Sequence, residues 1–87
     1  MLIRYFAWLR DHTGCSKEEF TCPDTVSTVN DLVAFLSAQS QSHQKAFQLA
    51  SNGRRIIQVA INHEFASFDD AICDSDEVAF FPPVTGG

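Results

Sequence analysis

No apolar run in the 87-residue sequence approaches the length that would span a bilayer. The opening Met1-Leu2-Ile3-Arg4 lacks the basic start and cleavage region of a secretory signal peptide, so a cytoplasmic protein is expected. Positive charge is scarce: six Lys and Arg stand against eleven Asp and Glu, a formal net charge of −5. That balance repels nucleic acid and anionic membranes, excludes both as expected partners, and favours partners with basic faces. Cysteine is limited to Cys15, Cys22 and Cys73, an odd number at wide separations. A secreted disulfide framework is thereby disfavoured, and the three are read as thiols.

Ligand and nucleophile spacings are missing too. No CxxC or paired ligand spacing joins the cysteines to His12, His43 and His63, so no metal site is expected. Nothing in the sequence supplies the lowered pKa that a Cys-His nucleophilic pair needs. Cys22 and Cys73 read instead as small buried hydrophobes, and His43 and His63 as solvent-facing loop residues. Gly14 and Gly53 stand alone, which leaves no glycine-rich loop for phosphate. Repeats, linkers and low-complexity runs are absent.

What is present suits one small domain. Hydrophobic residues make up 45% of the chain and include eight Phe, enough for a single modest core. Leu2 to Leu9 sets Ile3, Tyr5, Ala7 and Leu9 against Arg4, Phe6 and Trp8, the alternation of a strand, whose downstream end curls into a helical turn before Gly14. Glu18 to Cys22 pairs with it as a hairpin. A helix begins at Ser27 or Thr28, where Thr28 and Asp31 form a capping-box-like signal, and Val29, Leu32, Val33 and Leu36 recur at i, i+3, i+4 and i+7. The polar stretch Ser37 to Gln44 is expected to unwind it, and Lys45 to Ala50 to add only a short turn carrying Phe47 and Leu49.

Beyond the Asn52-Gly53 turn, Arg55 to Asn62 reads as a strand that turns at Asn62-His63-Glu64 towards a short partner around Phe65. Phe68 to Ile72 reads as a brief helical turn, and Glu77 to Phe81 as the last strand. The expected fold is α+β, a ubiquitin-like β-grasp: a small mixed sheet with one main helix on one face, its first and last strands parallel neighbours at the centre.

Three features remain open on the residues alone. Asp69, Asp70, Asp74, Asp76 and Glu77 crowd together without EF-hand order, which fits a solvated loop or an electrostatic contact for a basic partner. Phe6, Trp8 and Phe81 form an exposed patch in one strand parity, whereas one or more enter the core in the other. The ending Pro82-Pro83-Val84-Thr85-Gly86-Gly87 follows an apolar strand directly. It suits a stiff neck and slim tip for another protein's active site, although on the residues alone a frayed end is the commoner meaning of such a terminus.

The twelve-residue ending Asp76-Glu77-Val78-Ala79-Phe80-Phe81-Pro82-Pro83-Val84-Thr85-Gly86-Gly87 closely resembles that of the small subunit of molybdopterin synthase, the MoaD sulfur-carrier family. Weaker similarity runs through Tyr5-Phe6-Ala7, the Thr28-Val29 helix start with Leu32, and Val59-Ala60-Ile61-Asn62. The resemblance implies that an E1-like enzyme spends ATP to adenylate the carboxylate of Gly87, that sulfur from a donor protein replaces AMP, and that the thiocarboxylate donates sulfur to cyclic pyranopterin monophosphate inside the large subunit. In that reading residues 1–82 form the β-grasp domain and 83–87 a flexible C-terminal tail. Gly87 is the reactive terminus and Gly86 its stem, while Phe6, Phe81, Pro82, Pro83, Val84 and Thr85 face the partner. The chain carries no permanently bound cofactor and is a sulfur-donating subunit whose catalytic groups sit on the large subunit. Thiazole synthesis, transfer RNA thiolation, protein conjugation and a β-grasp binding module are the alternatives.

Overall fold

The computed structural model describes residues 1–83. Alternation near the start gives β1 (Leu2–Tyr5), with Ile3 and Tyr5 buried and Leu2 and Arg4 on the other face. This strand is shorter than the Leu2 to Leu9 stretch that alternates in sequence. Ala7 turns the chain at φ 56° and ψ −131°, and α1 (Trp8–Thr13) follows. Leu9 still reaches the core, but through a helical turn rather than a strand pleat. Gly14 ends α1 in the left-handed conformation, φ 82°, and its N–H returns to the carbonyl of Arg10 at 2.9 Å. The chain then runs back as β2 (Lys17–Glu19), antiparallel to β1 with Glu18 opposite Ile3.

Thr28 caps α2 (Val29–Gln39) as the sequence suggests. Its hydroxyl accepts from the Asp31 N–H at 3.2 Å while the Asp31 carboxylate accepts from the Thr28 N–H, also at 3.2 Å. Val29, Leu32 and Leu36 are fully buried, which accounts for their spacing. The expected unwinding over Ser37 to Gln44 does not occur. Ser40, extended at φ −160° and ψ 160°, ends α2, and its hydroxyl accepts from the His43 N–H at 3.2 Å to start α3 (Gln41–Ser51). Two eleven-residue helices therefore replace the one main helix. The buried face of α3 is His43, Ala46 and Phe47, an i, i+3, i+4 set in which a histidine stands where an apolar residue would have shown the period.

The rest of the sheet follows its turn chemistry. β3 (Gln58–Ile61) and β4 (Glu64–Ala66) meet through Asn62 and His63, whose φ values of 51° and 71° are those of a two-residue primed hairpin turn. Phe68 to Ile72 forms turns and a single bridge from Ala71 to Thr28 instead of a helical turn. β5 (Glu77–Phe81) then enters the sheet. The strand order is β2-β1-β5-β3-β4, with β1 parallel to β5 and β3 antiparallel to it. This is the β-grasp arrangement, and β5 is its central strand.

The core lies between the sheet and the helices. Phe80 stands at its centre, with the rings of Phe47, Tyr5 and Phe68 at 5.1, 6.2 and 6.4 Å. Val78 and Phe80 on β5, Ile3 and Tyr5 on β1, and Val59 on β3 are all at most 1% exposed, so these alternate positions face the helices. The intervening residues form the opposite, uncovered face.

Candidate functional site

β5 carries the chain from the middle of the sheet into Pro82 and Pro83. Val84, Thr85, Gly86 and Gly87, the residues expected to bear the reactive end, lie outside the described residues. The surface around this exit can be built from the strands. Because Phe80 is core, Phe81 takes the open face, half-buried. Phe6 prolongs the parallel ladder, its N–H reaching the Phe80 carbonyl at 3.1 Å, and its side chain is 45% exposed. Strand parity is thus settled for Phe6 and Phe81 in favour of the exposed patch.

Trp8 is the exception. It opens α1 and is half-buried, with the Arg55 guanidinium 5.2 Å above its ring. Trp8, Arg54, Arg55, Ile56, Pro82 and Pro83 line a shallow hollow where the chain leaves β5. Two of the six basic residues gather there in an otherwise acidic protein. Phe65 and Ile56, 80% and 66% exposed, also belong to the apolar surface, and the sequence reading had not singled them out. Extending strand parity into the hairpin would have found Phe65: it pairs with Ala60, and Ala60 alternates with the buried Val59.

The acidic cluster is held by its own turns and by groups of neighbouring segments. Asp70 accepts from the Ser67 N–H at 2.9 Å, and Asp69 from the Asn30 side-chain amide at 2.8 Å. Asp74 accepts from the Cys22 N–H at 2.6 Å and pairs with the amino terminus at 3.3 Å. Asp76 accepts from the Cys73 N–H at 2.8 Å and from the Asn62 amide at 2.9 Å. These bonds hold the Asp74 and Asp76 carboxyls below their ordinary range. Glu77, by contrast, meets Arg4 at 3.0 Å and His63 at 3.5 Å.

Two expectations about cysteine and histidine change. Cys73 is exposed rather than buried, and Cys22 is half-buried with its thiol directed to the Val26 carbonyl at 3.6 Å. His63 is 80% exposed on its turn, but His43 is buried in α3 rather than lying in a solvent-facing loop. Its Nε2 lies 2.7 Å from Glu18 Oε2 and its Nδ1 2.6 Å from Ser40 Oγ. Cys15 Sγ is 3.8 Å from the same Glu18 oxygen. Burial pushes the Cys15 thiol upward, with Glu18 adding to the effect and the hydrogen bond shared with Thr13 opposing it. Burial and nearby Asp74 do the same for Cys22. Both shifts run opposite to the lowered value of a nucleophilic thiol.

Comparison with known proteins places these features in context. The ThiS family matches residues 3–87. The chain is 36% identical over 85 residues to the molybdopterin synthase sulfur carrier subunit of Escherichia coli, covering 98% of this chain and 96% of that one. It is 55% identical over 87 residues to the protein of the same name from Haemophilus influenzae, with the same coverage. Among solved structures, the small archaeal modifier protein SAMP1 of Haloferax volcanii superposes with a TM-score of 0.71 at 29% identity, covering 100% of this chain and 98% of that one.

Proposed function

The chain belongs to the ThiS family, and from that premise we propose that it is the sulfur carrier subunit of a molybdopterin synthase. The observation that carries this reading is the ending of the chain. A central β-grasp strand runs through Phe81 into Pro82 and Pro83, and the sequence finishes Val84-Thr85-Gly86-Gly87. The near-full-length relatives bearing that name supply the acceptor reaction.

Chemistry explains the division of labour. A carboxylate is a poor electrophile at neutral pH, so an E1-like enzyme converts that of Gly87 to an acyl-adenylate with ATP. AMP is a good leaving group, and sulfur from a donor protein displaces it to leave a thiocarboxylate. Two such transfers give cyclic pyranopterin monophosphate its dithiolene. Cys15 and Cys22, whose thiols burial holds above their ordinary range, are poorly suited to compete for the acyl-adenylate.

The large synthase subunit supplies the catalytic groups and docks on the open face through Phe6, Phe81, Pro82 and Pro83, with Val84 and Thr85 following the tail into its active site. The two prolines restrict the backbone ahead of the tail, and apolar burial on the open face contributes to docking. The site of action is the cytoplasm. The intact mass of protein purified from its host tests the reading. A fraction heavier by one oxygen-to-sulfur exchange, located at Gly87 and consumed by the pterin precursor with the large subunit, is expected; transfer only to a thiazole or transfer RNA acceptor would reject it. Likeness to an archaeal modifier protein favours conjugation as the second reading, for which Gly87 would appear in isopeptide linkage to lysines.

A further inference from the structure

Away from the tail, three side chains of different chemistry converge beside the sheet edge: Cys15 from the loop before β2, Glu18 from β2 and His43 from α3. One ligand atom from each lies within 4.8 Å of the other two. A fourth group adjoins them. Tyr5 is 1% exposed, its ring centroid is 5.6 Å from that of His43, and its hydroxyl lies in the field of Glu18 and Cys15. That hydroxyl is within hydrogen-bonding reach of the Glu18 carboxylate but out of line for a well-formed bond, and among the described residues it is the one buried side-chain atom left in that state. A buried hydroxyl so placed is uncommon and asks for a partner.

We propose that Cys15 Sγ, Glu18 Oε2 and His43 Nε2 form a binding site for a zinc-like divalent cation, with a water in the fourth position bonded to the Tyr5 hydroxyl. Thiolate, imidazole and carboxylate together are a zinc donor set. A tetrahedral ion with bonds of about 2.0–2.3 Å separates its ligand atoms by about 3.3–3.6 Å. Here Cys15 Sγ and Glu18 Oε2 are 3.8 Å apart, and Glu18 Oε2 and His43 Nε2 are 2.7 Å apart. The first must close slightly and the second widen, with the Cys15–His43 separation within 4.8 Å, and Glu18 has the rotamer freedom to adjust, being 30% exposed.

The outer contacts already suit the ion. With a metal on Nε2, the His43 ring carries its proton on Nδ1 and donates it to Ser40 Oγ, which stands 2.6 Å away. Cys15 binds as thiolate, its proton leaving to solvent, so thiolate and Glu18 carboxylate balance the charge of the ion. The site ties the start of α3 to the edge strand β2, elements otherwise far apart in sequence.

Cobalt(II) titration of the full chain under reducing conditions tests the proposal. One equivalent should bind with a thiolate-to-cobalt charge-transfer band and the intense visible bands of tetrahedral cobalt, and zinc(II) should displace it. Cys15→Ser should abolish the charge-transfer band and weaken binding by at least about tenfold, the scale on which even outer-shell partners act. Cys22→Ser and Cys73→Ser should leave both unchanged. Zinc(II) should also shift the His43 ring nitrogen resonances of the wild type and raise its melting temperature, but not that of Cys15→Ser. Absence of the band, its persistence in Cys15→Ser, or an unmoved His43 ring would overturn the site.

Discussion

The ring of Phe65 lies 5.7 Å from that of Phe81, on the sheet face that no helix covers. Phe65 belongs to β4 and Phe81 to β5, so the contact spans β3, where Ala60 opposite Phe65 leaves room. An aromatic pair with one member 80% exposed adds little to folding, and it enlarges the apolar surface on which the proposed docking rests.

Phe65→Ala is therefore expected to separate stability from binding. Folding should change by no more than about 0.5 kcal/mol, as for other surface substitutions. Affinity for the large synthase subunit should fall by about 2 kcal/mol, roughly thirtyfold, the scale of an aromatic anchor. Chemical denaturation and calorimetric titration would check the two halves, and equal binding by the variant would remove Phe65 from the interface.

At the tail, one residue added after Gly87 should abolish adenylation by the E1-like enzyme while leaving the fold unchanged. The reactive carboxylate would then belong to another residue. ATP-pyrophosphate exchange reads the first effect and circular dichroism the second; normal exchange by the extended chain would reject Gly87 as the activated residue.

Ala7 sits at φ 56° and ψ −131°, a conformation that glycine adopts without strain and alanine does not. Strain of this kind costs about 1–3 kcal/mol, while glycine gives back about 0.4–1 kcal/mol through a freer unfolded chain. Ala7→Gly should consequently stabilise the protein by about 1 kcal/mol. The urea midpoint measures it, and a lowered midpoint would mean that the alanine methyl packs usefully at the junction between Phe6 and α1.

Acid should unfold the protein through a defined set of carboxylates. The backbone N–H of Ser27, the Ser27 hydroxyl and the Thr28 N–H hold Asp31 below its ordinary value, as the Cys22 N–H does for Asp74 and the Cys73 N–H for Asp76. With folded values below unfolded ones, the unfolded chain binds more protons in this range, and stability rises with pH. The contribution is complete above the unfolded carboxylate value of about 3.9 and is lost as pH falls through the lower folded values. Asp76→Asn should flatten that part of the stability profile, which denaturation at a series of acidic pH values would detect as a smaller slope.

Much of this protein was legible before folding because its signals are local. Glu77 to Phe81 alternates over five residues and is a strand over the same five. Thr28 and Asp31 cap one another within a single turn, and Asn62-His63 is a complete hairpin turn. The ending Pro82 to Gly87 proclaims its resemblance without any geometry at all.

What failed to show was whatever depends on partners distant in sequence. Ser37 to Gln44 reads as polar connection until His43 is seen buried against Tyr5 and Glu18, 25 residues before it in the case of the carboxylate. A hydrogen bond from another strand makes a histidine an inward residue of α3, and no helical period in the sequence can state that. Likewise, alternation shows that Phe80 and Phe81 face opposite ways but not which way is in. The sequence determined the strands, the caps and the chemical identity of the tail, since these are properties of neighbours. Tertiary structure decided which sheet face the helices cover, and thus which aromatics are left for a partner and which side chains meet at Cys15, because burial is shared between segments and belongs to none of them alone.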